Sequence, residues 1–139
     1  MFSPASARAA SSYRQASIDG ASPYQLINLL FERTLQSLRS ARNSLAQGDT
    51  TAKCEHIGKA VRYIEEGLKL GLNPDQSDVL ANNLARVYDY CVHRLTMANL
   101  RNDEEPLNEV EALIEEVAGG WRGISTQAQQ PRALAAVGA

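Results

Sequence analysis

The chain is expected to fold as an all-α protein: an antiparallel up-down four-helix bundle with a flexible N-terminal arm and a disordered C-terminal tail. Three observations lead there. Apolar residues recur at steps of three and four in separate segments, the spacing of amphipathic helices. Capping and helix-breaking residues bound those segments. No comparable run alternates with period two, so strands are not indicated. Short connections then make successive helices antiparallel neighbours.

Residues 1–21 are rich in Ser, Ala and Gly, carry Arg8 and Arg14, and lack a strong period. They read as a mobile arm, with a short extra helix allowed. The first helix opens at Ser22-Pro23-Tyr24-Gln25, where Ser22 suits the N-cap, Pro23 the first helical position, and Gln25 a capping box. Gly48 follows as a C′ residue. The second helix is expected from about Thr50 to Leu70, capped by Asp49 and ended by Gly71, with Cys54, Ile57, Val61, Ile64 and Leu68 inward. The third repeats the first one's opening at Asn73-Pro74-Asp75-Gln76 and runs to about Arg101, with Leu80, Leu84, Val87, Cys91, Leu95 and Ala98 in one stripe. Asp103 caps the fourth, whose stripe is Leu107, Val110, Ile114, Val117 and Trp121 and whose end is expected at Gly119-Gly120 or a few residues later. The bundle therefore spans 22–124, and 125–139 reads as a disordered tail.

With 139 residues, one domain is the default. The formal net charge is −2, from 14 basic and 16 acidic side chains, which argues against nucleic acid as the main partner. Acidic residues from Asp103 to Glu116 follow one another with no Lys or Arg between them. They read as a solvated helix face that also suits a helix N-terminus, with a basic partner as the alternative. No apolar run reaches the roughly 20 residues that span a bilayer, so membrane insertion is not expected. Residues 1–12 lack the apolar core of a signal peptide. Two separated cysteines, Cys54 and Cys91, point to a reducing compartment, and the expected location is the cytoplasm.

Chemistry finds little footing. A carboxylate-bridged metal site in a bundle needs Glu-x-x-His pairs; here Glu55 and His56 are adjacent, and the other histidine is His93. A histidine phosphotransfer protein using His93 is the alternative function, since His93 lies off the core stripe of its helix. The following Arg94-Leu95-Thr96-Met97 lacks the Lys-Gly pair usual in such domains. Both cysteines fall on core stripes and read as small hydrophobes. No phosphate loop, nucleophile motif or dinucleotide fingerprint occurs. No catalytic residue, metal ligand or cofactor is assigned, and the chain is not expected to be an enzyme.

The informative feature is surplus apolar surface. A helix docked on one side needs a stripe somewhat over 100° wide, yet the apolar residues of helix one, from Leu26 to Leu45, cover roughly 240°. That arc suits a helix touching two neighbours. In helix two, Tyr63 and Leu70 lie off the core stripe beside Ala60 and Gly67, and in helix three Val79, Tyr90 and Met97 lie to one side of theirs. An interior glycine costs on the order of 1 kcal/mol against Ala and lets another backbone approach closely. Either these groups complete the interior or they form grooves for a partner's amphipathic helices. Tyr13 is an isolated aromatic in the arm, either incidental or able to dock the arm on such a groove.

Several runs carry a resemblance. Ala21-Ser22-Pro23-Tyr24-Gln25-Leu26-Ile27 with Leu29-Leu30-Phe31, then Gln47-Gly48-Asp49 and Gly67-Leu68-Lys69, are followed by Val87-Tyr88-Asp89-Tyr90, Arg94-Leu95 and Ala98-Asn99-Leu100-Arg101-Asn102-Asp103; Glu109-Val110 and Trp121 continue the pattern, and Tyr13-x-Gln15 precedes it. Over residues 12–124 the sequence resembles the flagellin-specific export chaperones of the FliS family. The resemblance implies a cytoplasmic chaperone that binds the disordered C-terminal segment of flagellin one to one, prevents premature polymerisation, and delivers flagellin to the gate of the flagellar type III export apparatus. It further implies that the arm covers part of the binding surface, with Tyr13 contributing to partner contacts. In some members it extends to the flagellar anti-sigma factor. The expected partner-binding residues are Tyr13, Tyr63, Gly67, Leu70, Val79, Tyr90 and Met97, on a chain that is a monomer or weak homodimer when free.

Overall fold

Helix α1, Pro23–Ala46, starts where the capping residues place it. The Ser22 hydroxyl accepts the Gln25 amide at 3.1 Å, and the Gln25 side chain accepts the Ser22 amide at 2.9 Å, so two orphan donors of the first turn are met reciprocally. The computed structural model describes residues 22–72 and 78–129. Tyr13 and the rest of the arm, the Asn73–Gln76 opening and residues 130–139 lie outside the described residues. Within them the chain forms four helices and no strand: α1, then α2 at Thr50–Arg62 prolonged by a π-helical segment Tyr63–Lys69, α3 at Val79–Arg101, and α4 at Glu104–Gln129. Each packs on its neighbours in sequence and α4 closes on α1, which is the antiparallel up-down bundle expected.

Three boundaries differ from expectation. The second helix is not α-helical to its end: from Tyr63 it widens into π turns. Each π turn holds about one residue more than an α turn, so side chains beyond it rotate away from an ideal wheel. Gly67 therefore turns inward beside Leu68, and Ala60 is buried as well. The third helix starts at Val79, not Pro74. Asp78 has extended backbone, φ −85° and ψ 98°, and its carboxylate accepts the Ala81 amide, so the cap is made there. The fourth helix continues to Gln129 through Gly119, Gly120 and Gly123, past the boundary expected at Ile124. Among the described glycines only Gly48 has the left-handed φ that ends a helix. Inward packing of Val117 and Ala118 and stacking of Trp121 on Tyr24 hold the later turns in place.

Phe31, Leu38, Ile57, Ile64, Leu68, Cys91, Leu95, Leu107, Val110 and Ile114 form the interior. Burial pushes the Cys91 thiol up to about 12, so it stays protonated. Cys54 departs from expectation: it is exposed, and its thiol meets Asn99 Oδ1 at 3.1 Å. Its inward place is taken by Lys53, only 1% exposed, whose ammonium donates to the Asn99 carbonyl and to Asn102 Oδ1. Asn102 is left-handed, φ 51°, at the C-cap of α3, and Asp103 caps α4 by accepting the Glu105 amide. The Ala98–Asp103 run is thus the device that ends one helix, satisfies its last carbonyls with a buried cation and starts the next.

The acidic run of α4 is largely spent inside the chain. Arg39 reaches Glu111 and Glu115 at 3.1 and 3.0 Å, and Arg42 pairs with Glu111 and Asn108. Exposed pairs of this kind add little stability, but they fix the register of α1 against α4. The wide apolar arc of α1 is absorbed by its two neighbours, leaving Leu29 as its exposed large residue.

Candidate functional site

The bundle is apolar and open at one end. There the start of α1 and α3 meets the end of the π segment and of α4, because antiparallel neighbours bring opposite termini together. Ile27 and Phe31 of α1 form one wall, and Val117, Gly120, Trp121 and Ile124 of α4 the next. Leu68, Gly71 and Leu72 follow from the π segment and the turn after it, and Leu80, Leu84 and Tyr88 of α3 close the circuit. The groove encloses about 320 Å³. Its rim is unusual for a folded chain: Leu70, Val79, Leu80 and Ile124 are 58, 71, 56 and 52% exposed. Large apolar side chains clustered in water mark binding surfaces.

The sequence-selected residues divide. Leu70 and Val79 are exposed beside groove-lining neighbours. Tyr90 is exposed on the α3–α4 seam, where its hydroxyl donates to both oxygens of Glu109 at 2.9 and 3.0 Å and Arg94 bonds the same carboxylate at 2.7 Å. The Arg94 and Tyr90 bonds hold the Glu109 carboxyl below its ordinary range, and the bond to Glu109 raises the Tyr90 phenol. Tyr63 and Met97 are half-buried. Gly67 is buried, and a Cβ there would meet Leu30 Cδ2 at 2.9 Å; the close approach it permits is to the chain's own α1. His93 is exposed on α3, as its helical position requires.

Several groove residues had been assigned to interior stripes. Leu80 is the clearest: it was expected in the core and is more than half exposed. Leu84 and Trp121 serve core and groove at once, a double role that a stripe does not display. Ile27 and Ile124 lie near helix ends and Leu72 beyond one, and apolar residues gathered at several helix ends were the signal available. In α4, Gly119, Gly120 and Gly123 leave open space where a Cβ would stand. No packing inside the chain demands them. Gly120 faces the groove, where it bares backbone to an incoming segment. Among the described residues no cluster of His, Cys, Asp or Glu could hold a metal, and no helix is long and apolar enough to cross a membrane.

The family model of the flagellar protein FliS matches residues 5–128. The flagellar secretion chaperone FliS of Salmonella typhimurium is 43% identical over 120 residues, covering 84% of this chain and 89% of the relative. The flagellar secretion chaperone FliSB of Pseudomonas aeruginosa is 40% identical over 122 residues, with 85% and 96% covered. That of Bacillus subtilis is 30% identical over 110 residues, with 79% and 80% covered.

Proposed function

Because this chain belongs to the FliS family of flagellar secretion chaperones, we propose that it binds the disordered C-terminal segment of flagellin in the cytoplasm, keeps it from polymerising, and delivers it to the flagellar type III export apparatus. The observation that carries this reading is the apolar groove at the bundle end, whose rim residues Leu70, Val79, Leu80 and Ile124 stand in water.

A disordered client loses conformational entropy on binding, so affinity must come from a large apolar contact rather than from a few polar ones. An amphipathic helix laid in a groove supplies such contact. The same contact hides the client faces that would otherwise find one another, which is how holding the segment blocks polymerisation. Nucleotide chemistry has no part in this: binding and release are set by competition for the groove. Tyr90 and Met97 on α3, with Tyr63 on the π segment, extend the surface over which a wrapped segment could run, and the arm with Tyr13 competes for part of it.

The test is calorimetric titration of the full chain with a peptide of the flagellin C-terminal segment. Saturable one-to-one binding, lost on Leu84→Glu or Leu80→Glu, supports the reading. Absence of binding at millimolar peptide, with the chain folded, overturns it.

A further inference from the structure

Two buried polar atoms lack a partner among the described residues: Oδ1 of Asn28 and Nε1 of Trp121. Buried polar groups are nearly always bonded, and leaving one unmet is costly. The register of the helices places the two together. Arg39 faces Glu111; about three turns back along α1 lies Asn28, on the same face, and about three turns forward along antiparallel α4 lies Arg122, next to Trp121. Tyr24, one turn before Asn28, stacks on Trp121 with ring centroids 5.4 Å apart. An acceptor and a donor therefore sit at one level of the α1–α4 seam, where Ile27 and Trp121 open onto the groove.

We propose that this pair recognises a primary amide, an Asn or Gln side chain projecting from the apolar face of the docked segment. Its NH₂ donates to Asn28 Oδ1, and its carbonyl accepts from Trp121 Nε1. A carboxylate would accept from Trp121 but face the Asn28 oxygen without a proton to share. An ammonium would satisfy Asn28 and leave Trp121 unmet. An amide carries both functions in one plane. In a groove otherwise lined by hydrocarbon, such a pair sets register: a helix slid along the groove keeps its apolar contact but loses the bonds and leaves two buried atoms unmet. The occupant rests on the flagellin reading above; the added claim is the side chain it presents.

Trp121→Phe removes the N–H and keeps an aromatic ring against Tyr24, and Asn28→Leu removes the amide at similar size. The flagellin C-terminal peptide is titrated calorimetrically into each variant and the wild type, together with peptides in which each Asn or Gln in turn is replaced by Leu. Each protein variant is expected to bind about tenfold more weakly, in line with loss of one hydrogen bond to a buried partner. One peptide position should lose affinity on wild type and nothing further on Trp121→Phe. Thermal unfolding of the free variants should be unchanged or raised, because no internal bond is lost. Wild-type affinity in both variants, or a loss that couples to no amide of the peptide, overturns the proposal. So does a lowered, non-additive stability of the two free variants, which would mean that Asn28 and Trp121 bond each other. If the wild-type chain fails to bind the peptide at all, the flagellin reading falls and this proposal with it; if it binds and only the coupling is missing, the amide claim alone falls.

Discussion

The glycines of α4 and the π segment give opposite signs for one substitution. A Cβ built at Gly119 or Gly120 meets nothing within 4 Å, whereas at Gly67 it meets Leu30 at 2.9 and 3.1 Å. Inside a helix, Gly→Ala gains about 1 kcal/mol when there is room. For a chain of this size that raises the melting temperature by about 3 °C. Gly119→Ala and Gly120→Ala should each do so. Gly67→Ala carries the same helical gain but forces Leu30 out of a packed interior, where overpacking costs about 1–3 kcal/mol, so its melting temperature should fall. Binding separates the first two. Gly120 lines the groove and Gly119 does not. Gly120→Ala should weaken the flagellin C-terminal peptide by about threefold to tenfold, the worth of a lost close approach of roughly 1 kcal/mol, while Gly119→Ala binds as wild type. Differential scanning calorimetry and peptide titration of the three variants read all of this. A lowered melting temperature for Gly120→Ala, or equal loss of binding for Gly119→Ala, would refute the assignment of Gly120 to an open wall.

Other expectations concern separate parts of the molecule. Leu80→Glu should cost less than about 1 kcal/mol of stability, because Leu80 is already more than half exposed, yet reduce peptide affinity by about a hundredfold through a charge brought into an apolar contact; calorimetry on melting and on binding gives both numbers. Lys53→Met should destabilise the chain by about 2–4 kcal/mol, since two acceptors at the end of α3 lose a buried cation, and an unchanged denaturant midpoint would count against that role. In the folded chain a thiol reagent should label Cys54 and spare Cys91 until unfolding, because Cys54 is exposed and the Cys91 thiol is held protonated by burial; mass spectrometry of digests locates the label.

The fold was legible wherever one local rule decided it. Ser22, Asp49 and Asp103 cap helices by chemistry contained in a few adjacent residues, and the stripes of α3 and α4 follow from an ideal helical wheel. What stayed hidden depends on contacts between elements. The wheel assumes one angular step per residue, so it could not show that the π segment turns Gly67 inward against Leu30. Paired glycines signal a helix end only if they adopt a left-handed backbone, and Gly119 and Gly120 do not. Lys53 looks like a surface lysine until Asn99 and Asn102, half a chain away, supply its acceptors. The groove was the least legible of all. Periodicity shows that Leu80, Leu84 and Trp121 are apolar on the proper face, but not that the bundle ends open there. The surplus at Leu70 and Val79 pointed to the right end of the molecule.

Trp121 is the chain's single tryptophan, and it stands in the groove wall stacked on Tyr24. Its fluorescence therefore reports on the place where flagellin is held to dock. Titration with a tryptophan-free peptide of the flagellin C-terminal segment should shift the emission and saturate at one peptide per chain, and Leu80→Glu should move the curve to higher concentration. Binding seen by calorimetry with no change in Trp121 emission would put the client elsewhere on the bundle and contradict docking at this groove.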